Sequence, residues 1–168
     1  RSKFDRYSFI LEPTWYEAQA IRDDGLKILM VTEANPALTE MGNKDWQKAV
    51  CMKDSAGNYK LEFLLNTDIM LSETGKFADL VLPDQTHFER WELLYMPWWY
   101  NFGHGLALRQ PLVKPVGEAR HSNLVFIEMG KRMFPEYFQF KDDVEYYDLQ
   151  MRGLGLSVKK LQEMDCLW

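Results

Sequence analysis

Asp68, Ser72 and Thr74 follow one another at i, i+4 and i+6, with Glu73 between the two hydroxyls. A carboxylate can accept two parallel hydrogen bonds, and the N1–H and 2-amino group of guanine present such a pair of donors. Planar two-point contacts of this kind select their partner. The hydroxyls can bond a phosphate or a ribose, and a short helix opening there would point its positive end at the same anion. The same residues also have an ordinary structural use, because aspartate, serine and threonine cap helices and close turns. On residue types alone both uses stand.

The surrounding pattern decides where these groups sit. Phe63–Leu65 and Leu80–Leu82 are short apolar runs bounded by polar residues and Pro83, which suits strands buried on both faces of a parallel sheet. Between them Ser72–Ala78 carries N-terminal helix chemistry: a hydroxyl, then Glu73, then apolar Phe77. A strand, a short helix and a parallel strand connect through a right-handed crossover. Ligands in such units bind outside the carboxyl ends of the strands, where Asp68 and Ser72 fall. Asp79 opens the second strand and reads as structural, accepting backbone N–H groups at the helix–strand junction.

Upstream, Tyr16–Asp24 reads as a helix stopped by Gly25, and Lys27–Thr32 as a strand running into Glu33-Ala34-Asn35-Pro36. Asn43–Asp54 is expected to be a helix capped by Asn43, with Trp46, Ala49, Val50 and Lys53 on one face. Ser55–Asn58 turns the chain into the central unit. Helix, strand, helix, strand, short helix, strand is the alternation of an α/β fold: a parallel sheet in three layers with flanking helices.

After Pro83 the periodicity stops. Asp84–Pro115 concentrates Trp91, Tyr95, Trp98, Trp99 and Tyr100, and reads as a long ordered loop with at most short strands. Such loops inside compact domains are usually functional or interfacial. Tryptophan and tyrosine favour interfaces, so self-association through this loop is expected if the chain is alone. Asp84, Glu89 and Glu92 could suggest paired-carboxylate catalysis, but a solvated or interface edge is the simpler reading. Arg90 and Arg109 could pair with them or reach a phosphate. His87, His104 and His121 lack the i, i+4 spacing of a helix-borne metal site. Helices are expected at Ser122–Phe134, Asp142–Arg152 and Ser157–Leu167, the last two forming a helical C-terminal tail.

Composition narrows the class. The chain has 168 residues, 46% of them hydrophobic, which fits a single α/β domain with a core at 16–134 and a tail at 135–168. A net charge of −5 argues against nucleic acid as a partner. The apolar runs fall far short of the roughly 20 residues that span a bilayer. Those short runs lead one to expect a soluble protein; no secretory leader is recognisable near Arg1–Tyr7, and cytoplasm and periplasm both stay open. Cys51 and Cys166 form no C-x-x-C and read as ordinary thiols.

The stretch D-I-M-L-S-E-T-G-K-F-A-D-L-V-L-P, Asp68 to Pro83, resembles the pattern D-x-x-x-T-E-T-A-x-x-A-D-x-V-L-P of molybdopterin oxidoreductases related to dimethyl sulfoxide reductase and formate dehydrogenase. Ser72 stands where threonine is usual and Gly75 where alanine is usual. The resemblance extends to Asn35-Pro36, matching the family's G-x-N-P, and to Pro115–Arg120, matching P-x-G-E-A-R. Glu33 replaces the glycine of G-x-N-P and adds a side chain and a negative charge facing a dinucleotide pyrophosphate.

The resemblance implies a Rossmann-like α/β segment of a large catalytic subunit. Asn35, Asp68, Ser72 and Thr74 would then contribute to the guanine site of a molybdopterin guanine dinucleotide. The family's metal ligand, N-terminal cysteine motif and second nucleotide-binding domain are not recognisable. An internal piece of a molybdenum or tungsten oxidoreductase of prokaryotic anaerobic respiration is therefore expected, without activity of its own. Its partners would be the rest of the parent polypeptide and an electron-transfer subunit. Two alternatives come from other classes. One is a stand-alone interaction module docking through the tryptophan-rich loop. The other is a flavodoxin-type protein, disfavoured because no phosphate loop follows the first strand.

Overall fold

Parallel pairing of three short strands defines the first half of the chain. The computed structural model describes residues 13–96 and 105–164. Trp98, Trp99, Tyr100, His104 and Cys166 lie outside them. The chain divides into two compact units, Arg1–Pro83 and Asp84–Trp168.

In the first unit, α1 (Pro13–Arg22) leads to β1 (Ile28–Thr32), then a single helical turn α2 (Pro36–Thr39) and α3 (Asn43–Val50). β2 (Phe63–Asp68), a 3-10 turn (Thr74–Phe77) and β3 (Leu80–Pro83) complete it. The sheet order is β1-β2-β3. Both pairings are parallel, with Thr32 opposite Thr67 and Asp68 opposite Pro83. The expected α/β fold with a parallel sheet and flanking helices is therefore present.

Alternation along the strands puts Leu29, Val31 and Leu64 on one face, packed with Ile21 of α1 and with Trp46, Ala49 and Val50 of α3. Trp46 is fully buried, and its indole N–H donates to Glu17 of α1 at 3.0 Å. Burial pushes the Glu17 carboxyl above its ordinary range, with the indole hydrogen bond opposing. Phe77 meets the Trp46 ring edge-on, which ties the 3-10 turn to the same core. The opposite sheet face carries exposed Ile28, Met30 and Leu80.

Several boundaries differ from the sequence expectation. α1 begins at Pro13, and Asp24 (φ 56°) takes the left-handed position after it rather than Gly25. Gly42 (φ 77°), not Asn43, caps α3, while the Asn43 side chain donates to the Leu38 carbonyl at 2.8 Å. α3 stops at Val50 because Asp54 accepts from the N–H groups of Ala56 and Asn58, closing a turn on itself. Lys53 thus leaves the helix face and lies over the Tyr59 ring.

Among the described residues the second unit contains an antiparallel hairpin, β4 (Glu92–Met96) with β5 (Gly105–Arg109), and three α-helices. These are α4 (Ser122–Met133), α5 (Asp143–Met151) and α6 (Val158–Glu163). Leu108, Tyr147, Met151, Val158 and Leu161 form its core. Asp142 and Ser157 cap α5 and α6, each accepting from the backbone N–H three residues on. α4 starts at Ser122 as expected, with His121 in the cap position, and Asp84 accepts the Ser122 N–H at 3.2 Å.

Gly130 in α4 permits a close approach, since a Cβ there would lie 2.3 Å from the Phe138 ring. Alanine normally favours a helix over glycine by about 1 kcal/mol. Gly130→Ala should instead destabilise the protein by about 1–3 kcal/mol, because the whole Phe138 ring must move. Urea denaturation checks this, and an unchanged or raised midpoint would contradict the packing.

Candidate functional site

At the carboxyl ends of β1 and β2 the two crossover loops are joined through one side chain. Asn35 donates from Nδ2 to Glu73 at 2.7 Å. Its Oδ1 accepts both the backbone N–H of Thr74 at 3.0 Å and the Thr74 hydroxyl at 2.9 Å. Thr74 Oγ1 in turn accepts the Ala37 N–H at 3.1 Å. Pro36 suits the first helical position because its nitrogen carries no hydrogen to satisfy, and Asn35 supplies its own carbonyl to the N–H groups of Leu38 and Thr39. Ser72 and Thr74 are both buried.

Ser72 bonds Asn66 Oδ1 and accepts from Gly75 N–H, each at 3.4 Å. Asn66 is fully buried in β2 and reaches the Val31 carbonyl across the sheet. The close-packed neighbour of this pair is Gly75, where a Cβ would stand 3.1 Å from Asn66 Oδ1 and 3.0 Å from Leu71. Glycine there leaves room for both side chains. Asp79 behaves as expected of a structural residue, its carboxylate accepting the Leu64 N–H at 2.8 Å.

Asp68 is half-buried at the end of β2. Its Oδ1 accepts the Ile69 N–H at 2.8 Å. It lines an open cleft of about 470 Å³ together with Glu33, Asn35, Glu40, Met70 and Ser72. The structure thus brings Asn35, Asp68 and Ser72 to one cleft and places Thr74 behind Asn35. Glu33, which also lines it, adopts φ 50°, a left-handed conformation that costs a non-glycine residue about 1 kcal/mol.

Two members escaped sequence reasoning. Asn66 looked like the polar end of an apolar run, and Glu73 gave no sign that it pairs with Asn35. The hydrogen bond from Asn35, then one from its own backbone, holds the Glu73 carboxyl below its ordinary range.

The acids after β3 are not a solvated edge. Asp84 and Glu89 are buried. Glu89 gathers the N–H and hydroxyl of Thr86 and the N–H of Val116. The Arg90 guanidinium lies between Asp84 (3.5 Å) and Glu92 (3.3 Å), and Arg109 pairs with Glu92. His121 faces Asp143 at 3.4 Å. These charges fasten the loop, the hairpin and the start of α4 to one another. Among the described residues no group of His, Cys, Asp and Glu is arranged to hold a metal ion, and no helix is long and apolar enough to cross a membrane.

The fold of this chain has counterparts in known proteins. The molybdopterin oxidoreductase family pattern matches residues 14–132. The chain belongs to that family. It is 36% identical over 96 residues to a sulfite dehydrogenase chain of Allochromatium vinosum, covering 55% of this chain and 10% of that protein. It is 28% identical over 139 residues to the thiosulfate reductase molybdopterin-containing subunit PhsA of Salmonella typhimurium, covering 82% of this chain and 17% of that one. Acetylene hydratase from Pelobacter acetylenicus shares its fold, with a TM-score of 0.70 at 21% identity over 93% of this chain and 20% of the larger one. The chain therefore spans less than a fifth of the length of either of these two curated relatives.

Two outcomes are expected of the Asn35 junction. Asn35→Ala strands the Thr74 N–H and hydroxyl and should cost about 2–4 kcal/mol in denaturant unfolding; a loss below that range would show that Asn35 is not the clamp. The lowered Glu73 value stabilises the fold above its ordinary 4.5 and that contribution is lost as pH falls through the lower folded value. The stability advantage over Glu73→Gln should then be level at neutral pH and shrink below about 4.5, as read by unfolding at a series of pH values. A difference independent of pH would contradict it.

Proposed function

We propose that this chain is a cofactor-binding segment of a larger molybdenum or tungsten oxidoreductase, and that its cleft holds the guanine of a molybdopterin guanine dinucleotide. The observation that carries this reading is the position of Asp68. Its carboxylate lines an open cleft at the carboxyl ends of parallel strands, with only Oδ1 engaged by a hydrogen bond among the described residues. Two adjacent donors on a purine edge match such a group, and guanine offers them where adenine does not.

The remaining predicted residues support Asp68. Asn35 and Thr74 lock the two loops that wall the cleft, and Ser72 holds the turn against Asn66. In the whole enzyme the pterin-bound metal would supply the transfer of oxygen atoms or electron pairs. This segment contributes binding and orientation. The rest of a longer polypeptide would complete the cofactor site, and an electron-transfer subunit would serve as redox partner, in keeping with a chain that matches a small share of its relatives' length.

Isothermal titration of the chain with guanosine and adenosine tests the reading. Guanosine should bind, adenosine should bind at least about tenfold more weakly, and Asp68→Asn should remove the difference, as expected when a buried donor pair loses its acceptor. Equal binding of the two nucleosides, or of guanosine by both proteins, would remove Asp68 from the site.

A further inference from the structure

The second unit carries a cleft of its own, of about 480 Å³. One wall is a face of α5 with the residue that follows it: Glu145, Asp148, Leu149 and Arg152 stand at i, i+3, i+4 and i+7. The other is the segment after α4, which contributes Glu136, Tyr137 and Phe140. Aromatic packing holds that segment in place. Phe138 lies against Gly130 of α4, and Phe140 meets Phe138 and Tyr146 edge-on, with ring centroids 6.2 and 5.6 Å apart. Apolar surface is nevertheless left open beside the cleft, with Tyr137 73% and Leu149 40% exposed.

The charges on the walls are only partly used by the fold. Asp148 and Arg152 stand at a spacing where acid and arginine commonly pair. No ion pair joins them, and Asp148 accepts the Val158 N–H at 2.6 Å instead. Glu145 is taken by Lys141, through its N–H at 2.8 Å and its ammonium at 3.6 Å. Among the described residues the Arg152 guanidinium and the Glu136 carboxylate have no partner. One cation and one anion therefore flank an aromatic surface. A ligand that satisfies all three carries a carboxylate, an ammonium and an apolar group. We propose that this cleft is a binding site for a free α-amino acid with an aromatic or large aliphatic side chain. Arg152 takes the carboxylate in the two-point contact that a planar guanidinium allows. Glu136 takes the ammonium, and the apolar side chain lies against Tyr137, Phe140 and Leu149. The site is independent of the guanine half-site in the first unit.

Amide chemical shifts of the full chain, followed by NMR during titration, read weak binding residue by residue. L-Phenylalanine should shift the amides of residues 137–141 and 149–153. Phenylacetate lacks the ammonium and phenethylamine lacks the carboxylate. Each should bind about two- to fivefold more weakly, as expected for the loss of one exposed ion pair. Arg152→Gln should weaken phenylalanine by a similar factor and leave phenethylamine unchanged. Glu136→Gln should likewise weaken phenylalanine and leave phenylacetate unchanged. Both side chains are exposed, so neither variant should move the urea midpoint. Absence of shifts in these amides, equal binding of the three compounds, or phenylalanine affinity unmoved by either variant would overturn the proposal.

Discussion

The carboxyl end of a parallel sheet is a place where backbone groups leave their ladder and must find other partners. A buried N–H without an acceptor costs about as much as one or more hydrogen bonds contribute. Here one asparagine settles most of that requirement. Asn35 reaches from the loop after β1 to the loop after β2, donates to Glu73 and accepts twice from Thr74. The cleft, the course of the two loops and the positions of Asp68 and Glu33 all follow from that junction. The N–H groups of Ala37, Leu38, Thr39 and Thr74 are spent in building it.

A loop rich in hydroxyls thus spends them on its own structure. Ser72 and Thr74 are the residue types that cradle phosphates elsewhere, yet their hydroxyls and the N–H groups beside them are turned inward. The second unit makes a parallel point. Asp84, Glu89, Arg90, Glu92 and Arg109 have the composition of an active site. They form instead the polar fastening of a long loop that has little secondary structure to hold it. Buried charges of this kind are tolerated because each finds opposite charge or backbone within reach.

Much of the fold could be read from residue order. Short apolar runs separated by helix-like segments give parallel strands, and β1, β2 and β3 lie where those runs do. The misreadings have local causes. The expected ends of α1 and α3 lie too far along because the left-handed Asp24 and the turn chemistry at Asp54 compete with propensity. The loop after β3 hides a hairpin because β4 pairs through residues whose alternation is broken by adjacent apolar positions such as Leu93 and Leu94. Asp68, Ser72 and Asn35 were visible as candidates because their types are chemical. Asn66 and Glu73 were not, since their roles depend on contacts that only tertiary proximity creates. The use of Gly75 is hidden for the same reason: its neighbours Leu71 and Asn66 meet it only in the folded turn.

Amide hydrogen exchange, resolved residue by residue in the ligand-free protein, tests the account most directly. If the Asn35 junction commits the donors bonded to it and to Thr74, the N–H groups of Ala37, Leu38, Thr39 and Thr74 will exchange about a hundredfold or more slowly than in an unstructured peptide. Exchange of these amides at unstructured rates, with the core amides of Leu64 and Leu65 still protected, would show the donors to be available and would contradict it.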